Sequence, residues 1–245
     1  MINLELHFQL KTIETNVHRT YVPLKKGFIL TSNRDENHQR LTLSPRKYTH
    51  DTETIIYPKD LTKGGSWFAL NSGKKSIACI LNAVAEQPKD EYPFSRGQLL
   101  LESIVNHDFK LDTKRLDQIA PCVLLTYSFE KYPVFKEYSW NGSDLRINNI
   151  DISQPKIWCS NTLYSGMEFE KIRKSFEKSL NVLTTRDSIL EFHKSVSQPL
   201  NSDVYLIKNA GIKTVSSTSY HYQSNTNELY YKDFNEDKVT LLKNL

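Results

Sequence analysis

A chain of 245 residues is long enough to bury a full core, and one domain over residues 1–245 is the expectation for a mixed or all-β fold of this size. The net charge of +4 is the small difference between 32 basic and 28 acidic residues. These alternate, as in "EFEKIRKSFEK", so the concentrated basic footprint of a nucleic-acid protein is missing. A mean hydropathy of -0.52, with no apolar run approaching the roughly 18 residues a spanning helix needs, excludes such a helix.

The opening "MINLELHFQL" places Leu4, Leu6, Phe8 and Leu10 at period two, the pattern of a half-buried strand. Glu5 and His7 interrupt it, so it lacks the basic start and continuous apolar centre of a signal peptide, and a cytoplasmic location is expected. Strand-like runs follow at "GFILTS", "TIIYP", "SWFALN", "SIACILNAV", "PCVLLTYS", "VFKEYSW", "KIWCSN", "DVYLIK", "TVSSTSYHY" and "ELYYKDF". Most are bounded by Gly, Pro, Asn or Asp. Helical spacing appears in "SRGQLLLESIVNH", where Ser95 can cap the start. It returns in "MEFEKIRKSFEKSLNVL", with Phe169, Ile172, Phe176 and Leu180 on one face, and in "TTRDSILEFHKSVSQP", which opens on threonine caps and stops before Pro199. Strands, one helix, more strands, two helices and final strands suit an α+β layered fold with mainly antiparallel sheets, rather than a βαβ repeat.

Chemistry concentrates where "GFIL" runs into Asn33, Arg34, Asp35 and Glu36. Alternation sends Asn33 and Asp35 to one face and Arg34 and Glu36 to the other, so one pair can face a pocket. A polar surface turn with local ion pairs is the plainer reading. "TKGGSWFALNSGKKSIACILNAV" reads as a hairpin that turns at Gly64 and Gly65, runs through Trp67 and returns to Asn82. Asn82 and Asn161 each follow an apolar strand, where an asparagine can cap the end or donate its amide to a developing oxyanion. Cys79, Cys122 and Cys159 sit in apolar runs and read as buried thiols, and the seven histidines contain no pair at spacing three or four, so no metal site is expected.

Taken together, "TSNRDENHQR", "GGSWFALNSGKKSIACILNAV", "SRGQLLLESI", "CSNTLYSG" and "VSSTS" resemble the successive blocks of the NRDE proteins, the Transport and Golgi organisation family. The resemblance implies a fold similar to the N-terminal nucleophile hydrolases, a four-layer αββα sandwich of two mainly antiparallel sheets. Enzymes of that class cleave amide bonds with the side chain of a first residue whose own α-amino group is the base. The resemblance gives Asp35 the role of holding that amine, Asn82 the oxyanion hole, and Asn161 the orientation of substrate or amine. Asn33 and Arg34 join these as ligand-binding positions. Glu36, Gly64, Gly65, Trp67, Arg96, Gly97 and Ser217 are the motif residues that shape the site.

Two positions depart from the family pattern. Relatives usually carry a cysteine after the initiator methionine, where this chain has Ile2, and an arginine where it has Val215. Losing the nucleophile of a catalytic set removes nearly all chemistry. The expectation is therefore a catalytically silent member with a cleft that can hold a small molecule, and with Arg34 and Asp35 chiefly tying strand ends together. Two alternatives stay open: an active amidohydrolase whose true start carries Met-Cys, and a binding or trafficking protein for haem or acyl lipids. Haem rests on family association alone, and the oligomeric state is not readable.

Overall fold

A computed structural model describes residues 18–83, 89, 91–106, 113–160, 166–197, 212–224 and 226–245. The strand expected over Leu4 to Leu10, the run "DVYLIK", Ile2 and Asn161 lie outside them. In chain order the elements are β1 (His18–Leu24), β2 (Gly27–Asn37), β3 (Thr42–His50), β4 (Glu53–Asp60), β5 (Phe68–Asn71), β6 (Ser76–Asn82), α1 (Arg96–Asn106) and α2 (Thr113–Leu116). There follow β7 (Cys122–Ser128), β8 (Val134–Trp140), β9 (Leu145–Asn149), β10 (Lys156–Cys159), α3 (Gly166–Ser179), α4 (Arg186–Ser197), β11 (Ile212–Gln223), β12 (Thr226–Asp233) and β13 (Lys238–Lys243).

Six strands form one sheet in the order β10-β1-β2-β11-β12-β13, and seven form the other as β3-β4-β5-β6-β7-β8-β9. Every ladder within them is antiparallel. The sheets face each other across a core that includes Tyr21, Phe28, Leu30, Leu70, Leu125 and Tyr231. Helix α1 covers the seven-stranded sheet with Leu100 and Ile104 buried, and α3 and α4 cover the six-stranded one through Ile172, Phe176, Ile189 and Phe192. The αββα sandwich is therefore present. Strands β5 and β6 read as unbroken apolar runs because both of their faces are covered, with all residues from Phe68 to Leu70 and from Ile77 to Leu81 buried.

The caps work as the sequence suggests. Gly97 N–H donates to Ser95 Oγ (3.2 Å), and Thr185 and Ser188 exchange backbone-to-hydroxyl bonds at 3.2 Å each way, the reciprocal cap of α4. Four strands escaped the reading: β1, β3, β9 and β13. In β3, "TLSPRKYTH" carries Pro45 and many polar residues, which an edge strand tolerates because its outer face needs no ladder partner. Strands β9 and β13 are edges too, and mostly solvent-facing, so alternation of apolar residues is weak in them.

Candidate functional site

The "NRDE" run is the last stretch of β2, and its alternation decides the site. Phe28 and Leu30 point between the sheets while Ile29 points under α3 and α4. Arg34 and Glu36 therefore face the inter-sheet space and Asn33 and Asp35 the helix side.

Arg34 is held in place by several groups. Its Nη2 donates to Asp60 Oδ2 (2.9 Å), its Nη1 to Thr42 Oγ1 (3.1 Å), and its guanidinium stacks 4.5 Å from the centre of the Trp67 ring. Arg40 bonds Glu36 Oε2 (2.8 Å), and its Nε lies 2.8 Å from Asp60 Oδ2, so two cations and two carboxylates close a network across the ends of β2 and β4. Asp60 also nucleates the following turn: its Oδ1 accepts from the Thr62 and Lys63 N–H groups at 2.8 and 3.0 Å. Gly64, at φ +72°, donates its N–H to Asp60 O (2.9 Å), a left-handed position that a side chain would strain.

That turn delivers Gly65 against Gly97. A Cβ on Gly65 would meet the Gly97 backbone at 2.5 Å, and one on Gly97 would meet Ser66 N at 2.8 Å. Ser66 N–H donates to Gly97 O (3.2 Å). The "GGSW" and "SRG" motifs are thus the two halves of one glycine contact, and it brings the start of α1 to the rim of a pocket.

The pocket, of about 300 Å³, lies between the ends of β2, β4, β5 and β6 and the start of α1. Arg34, Glu36, Gly65, Trp67, Asn82, Arg96 and Gly97 all line it, so seven of the residues singled out in the sequence converge. Reading the sequence missed Arg40, Asp60 and Lys63, which also line it. They are charged residues in or beside turns, Arg40 after β2 and Asp60 and Lys63 just before Gly64, a placement too common to mark a site. Four cations face two carboxylates, leaving a positive lining. Arg96 reaches Pro121 O (3.2 Å), and burial lowers its pKa to about 10, so it stays charged.

Beneath the pocket sits Arg19, fully buried on β1. Its Nη2 donates to Trp67 O (3.1 Å) and to Ile80 O, while its Nε and Nη1 have no nitrogen or oxygen partner among the described residues. Burial lowers its pKa to about 10, with the neighbouring Cys79 opposing, and at neutral pH it is a cation. Trp67, 7% exposed, has an Nε1–H without a partner as well. Reading the sequence passed over Arg19, since an arginine in "HRTYVP" looks like a surface residue.

On the helix side, Asp35 Oδ1 accepts the Thr214 hydroxyl, and Asn33 Oδ1 accepts Ser217 Oγ (2.6 Å), which ties β2 to β11. The ladder bulges at Val215, whose side chain is buried. Burial raises the Asp35 pKa to about 7, with the Thr214 bond opposing. Cys159 lies close enough that Asp35 adds to the burial that raises its thiol pKa. His193 of α4 shares a 2.8 Å hydrogen bond with Thr20, and burial holds His18 and His193 neutral, at pKa values of about 4 and 3. Asn82 lines the pocket, and its carbonyl accepts Ser160 Oγ (2.7 Å), joining the ends of β6 and β10 beside position 161.

β2 has only β1 and β11 as neighbours, and the Asp35 end of β2 lies beside the start of β1, with Arg19 paired to Ser32.

A family model described as Transport and Golgi organisation 2 matches residues 12–231. Among solved structures, penicillin V acylase from Agrobacterium tumefaciens superposes with a TM-score of 0.56 at 9% identity, covering 93% of this chain and 86% of that one. At that identity the likeness speaks for the fold alone. No curated protein matches.

Proposed function

The chain belongs to the Transport and Golgi organisation 2 family, and from that premise we propose that it is a non-catalytic member that binds a small acidic molecule in the inter-sheet pocket. The observation that carries the reading is the charge of the described lining, where Arg34, Arg40, Lys63 and Arg96 face Glu36 and Asp60. A surplus of cations attracts an anion, and an acidic group with two acceptor oxygens can meet a guanidinium with paired hydrogen bonds.

The same site supports the silent reading of its chemistry. Its described lining holds no cysteine, and the Ser66 hydroxyl is committed between Pro58 O and Phe68 O at 2.7 and 2.8 Å. Cys79 and Cys122, beside Arg19 and Arg96, are buried and absent from the lining, with thiol pKa values pushed up to about 11 and about 12.

The test is calorimetric titration of the full chain with matched pairs of small carboxylates and their neutral amides, alongside assays with acyl-amide, acyl-homoserine lactone and thioester substrates. Carboxylates should bind about tenfold or more tighter than amides, with Lys63→Ala, which removes an exposed cation of the lining, weakening them, and no substrate should turn over. Equal binding of acid and amide would sink the ligand reading, and turnover abolished by Asp35→Asn would sink the silent one.

A further inference from the structure

A second cavity lies at the opposite end of the sandwich, independent of the pocket above. It is lined from the β1–β2 turn by Lys25, Lys26 and Phe28, with Phe129, Ser153 and Tyr222 among the other walls. Phe28 and Arg34, on the same strand, stand about 20 Å apart by strand rise, so the two cavities share no wall. The second one is a crevice open to solvent, with a volume of about 610 Å³, within the range of about 300–1,000 Å³ usual for small-molecule sites.

Its inner surface combines aromatic rings drawn from both sheets with Leu24, Ile152 and two prolines. Phe28 and Tyr222 come from the six-stranded sheet, while Tyr127 of β7 and the following Phe129 come from the other. Phe28 lies 5.3 Å from Phe129 and 5.6 Å from Tyr222, and Phe129 lies 4.8 Å from Tyr222, all as tilted or edge contacts that form one continuous aromatic wall. Gly27 permits this wall: a Cβ there would meet Tyr222 O at 1.9 Å. Tyr21 OH donates to Ile152 O (2.9 Å) and thereby fixes the rim that carries Ser153. The lining includes two ammonium groups and no carboxylate, and Asp151, beside it in sequence, bonds Ser153 Oγ (2.7 Å).

We propose that this crevice is a binding site for a small flat aromatic carboxylate, whose ring lies on the Phe28–Phe129–Tyr222 wall and whose carboxylate meets Lys25 and Lys26. An aromatic wall rewards a flat π-surface over a flexible chain, because edge and offset ring contacts are available at no conformational cost to the ligand. The two lysines select the anion.

Titration calorimetry of the full chain with 2-naphthoate, naphthalene-2-carboxamide and decanoate tests it at low ionic strength. Naphthoate should bind about tenfold tighter than the amide and tighter than decanoate. The exposed pair Lys25→Glu/Lys26→Glu should remove that preference, and Ser153→Trp, which fills the crevice from its rim, should abolish binding. Thermal melts of both variants establish that they fold. Lys63→Ala, in the other pocket, should leave naphthoate binding unchanged, whereas a loss there would place the ligand in that pocket and overturn the proposal. Equal affinity for acid and amide, tighter decanoate, or full naphthoate affinity in the lysine double variant would each overturn it too.

Discussion

Asp35→Asn separates a structural carboxylate from a catalytic one. Asp35 is buried on the helix side of β2, accepts the Thr214 hydroxyl and has a pKa raised to about 7 by burial. A carboxyl that prefers to be protonated when folded supports the fold most at low pH. Its contribution is fully present below the unfolded value of 3.8 and falls as pH rises through about 7. At 1.36 kcal/mol per unit, the wild type loses about 3 kcal/mol between pH 5 and pH 8 through this group. Asparagine keeps an acceptor for Thr214 and removes the charge, so its stability lacks this term. His18 and His193, depressed to about 4 and about 3, act in the opposite sense, losing stability as pH falls below the usual histidine range. They are common to both proteins and cancel in the comparison. The assay is a pair of thermal melts at pH 5 and pH 8. The advantage of Asp35→Asn over wild type should grow by about 3 kcal/mol, or about 6–12 °C for a chain of this size. A gap that stays constant, or that favours the wild type more at pH 8, would show Asp35 ionised and partnered, and the reasoning would be wrong.

Removing the Arg34 guanidinium leaves Asp60 dependent on Arg40 alone and takes the cation from the Trp67 face, so Arg34→Ala should lower stability by about 3 kcal/mol in urea denaturation. Arg34→Lys should recover only part of this, because an ammonium cannot span Asp60 and Thr42 together. Gly97→Ala puts a methyl group 2.8 Å from Ser66 N, a backbone atom, and should cost about 1–3 kcal/mol while weakening ligand binding in the inter-sheet pocket, read by melts and calorimetry. Cys79 and Cys122, buried with raised pKa values, should resist iodoacetamide at pH 7.5 in the native protein and label fully in urea, as followed by mass spectrometry.

Much of this architecture was legible because it rests on local rules. The continuous apolar runs of β5 and β6, the Ser95 and Thr185 caps and the stripe of Ile172 and Phe176 on α3 follow from period and propensity, which each segment carries by itself. The edge strands β3, β9 and β13 were not, because an edge needs only one partner and its solvent face imposes no pattern. β1 escaped for a different reason: its inward face holds Arg19, a charge that reads as exposed until Trp67 O and Ile80 O are found accepting from it.

The site divides in the same way. Sequence alone determined that Arg34 and Glu36 share one face and Asn33 and Asp35 the other, because strand geometry leaves no alternative. It also marked Gly65 and Gly97 as unusual, without saying why. Only the tertiary structure decided which face meets the pocket, that the two glycines touch, and that Arg19 bonds the backbone of Trp67 and Ile80. Those facts depend on segments some 30 to 60 residues apart in sequence being pressed together by burial, and no local pattern encodes which distant backbone a side chain will meet.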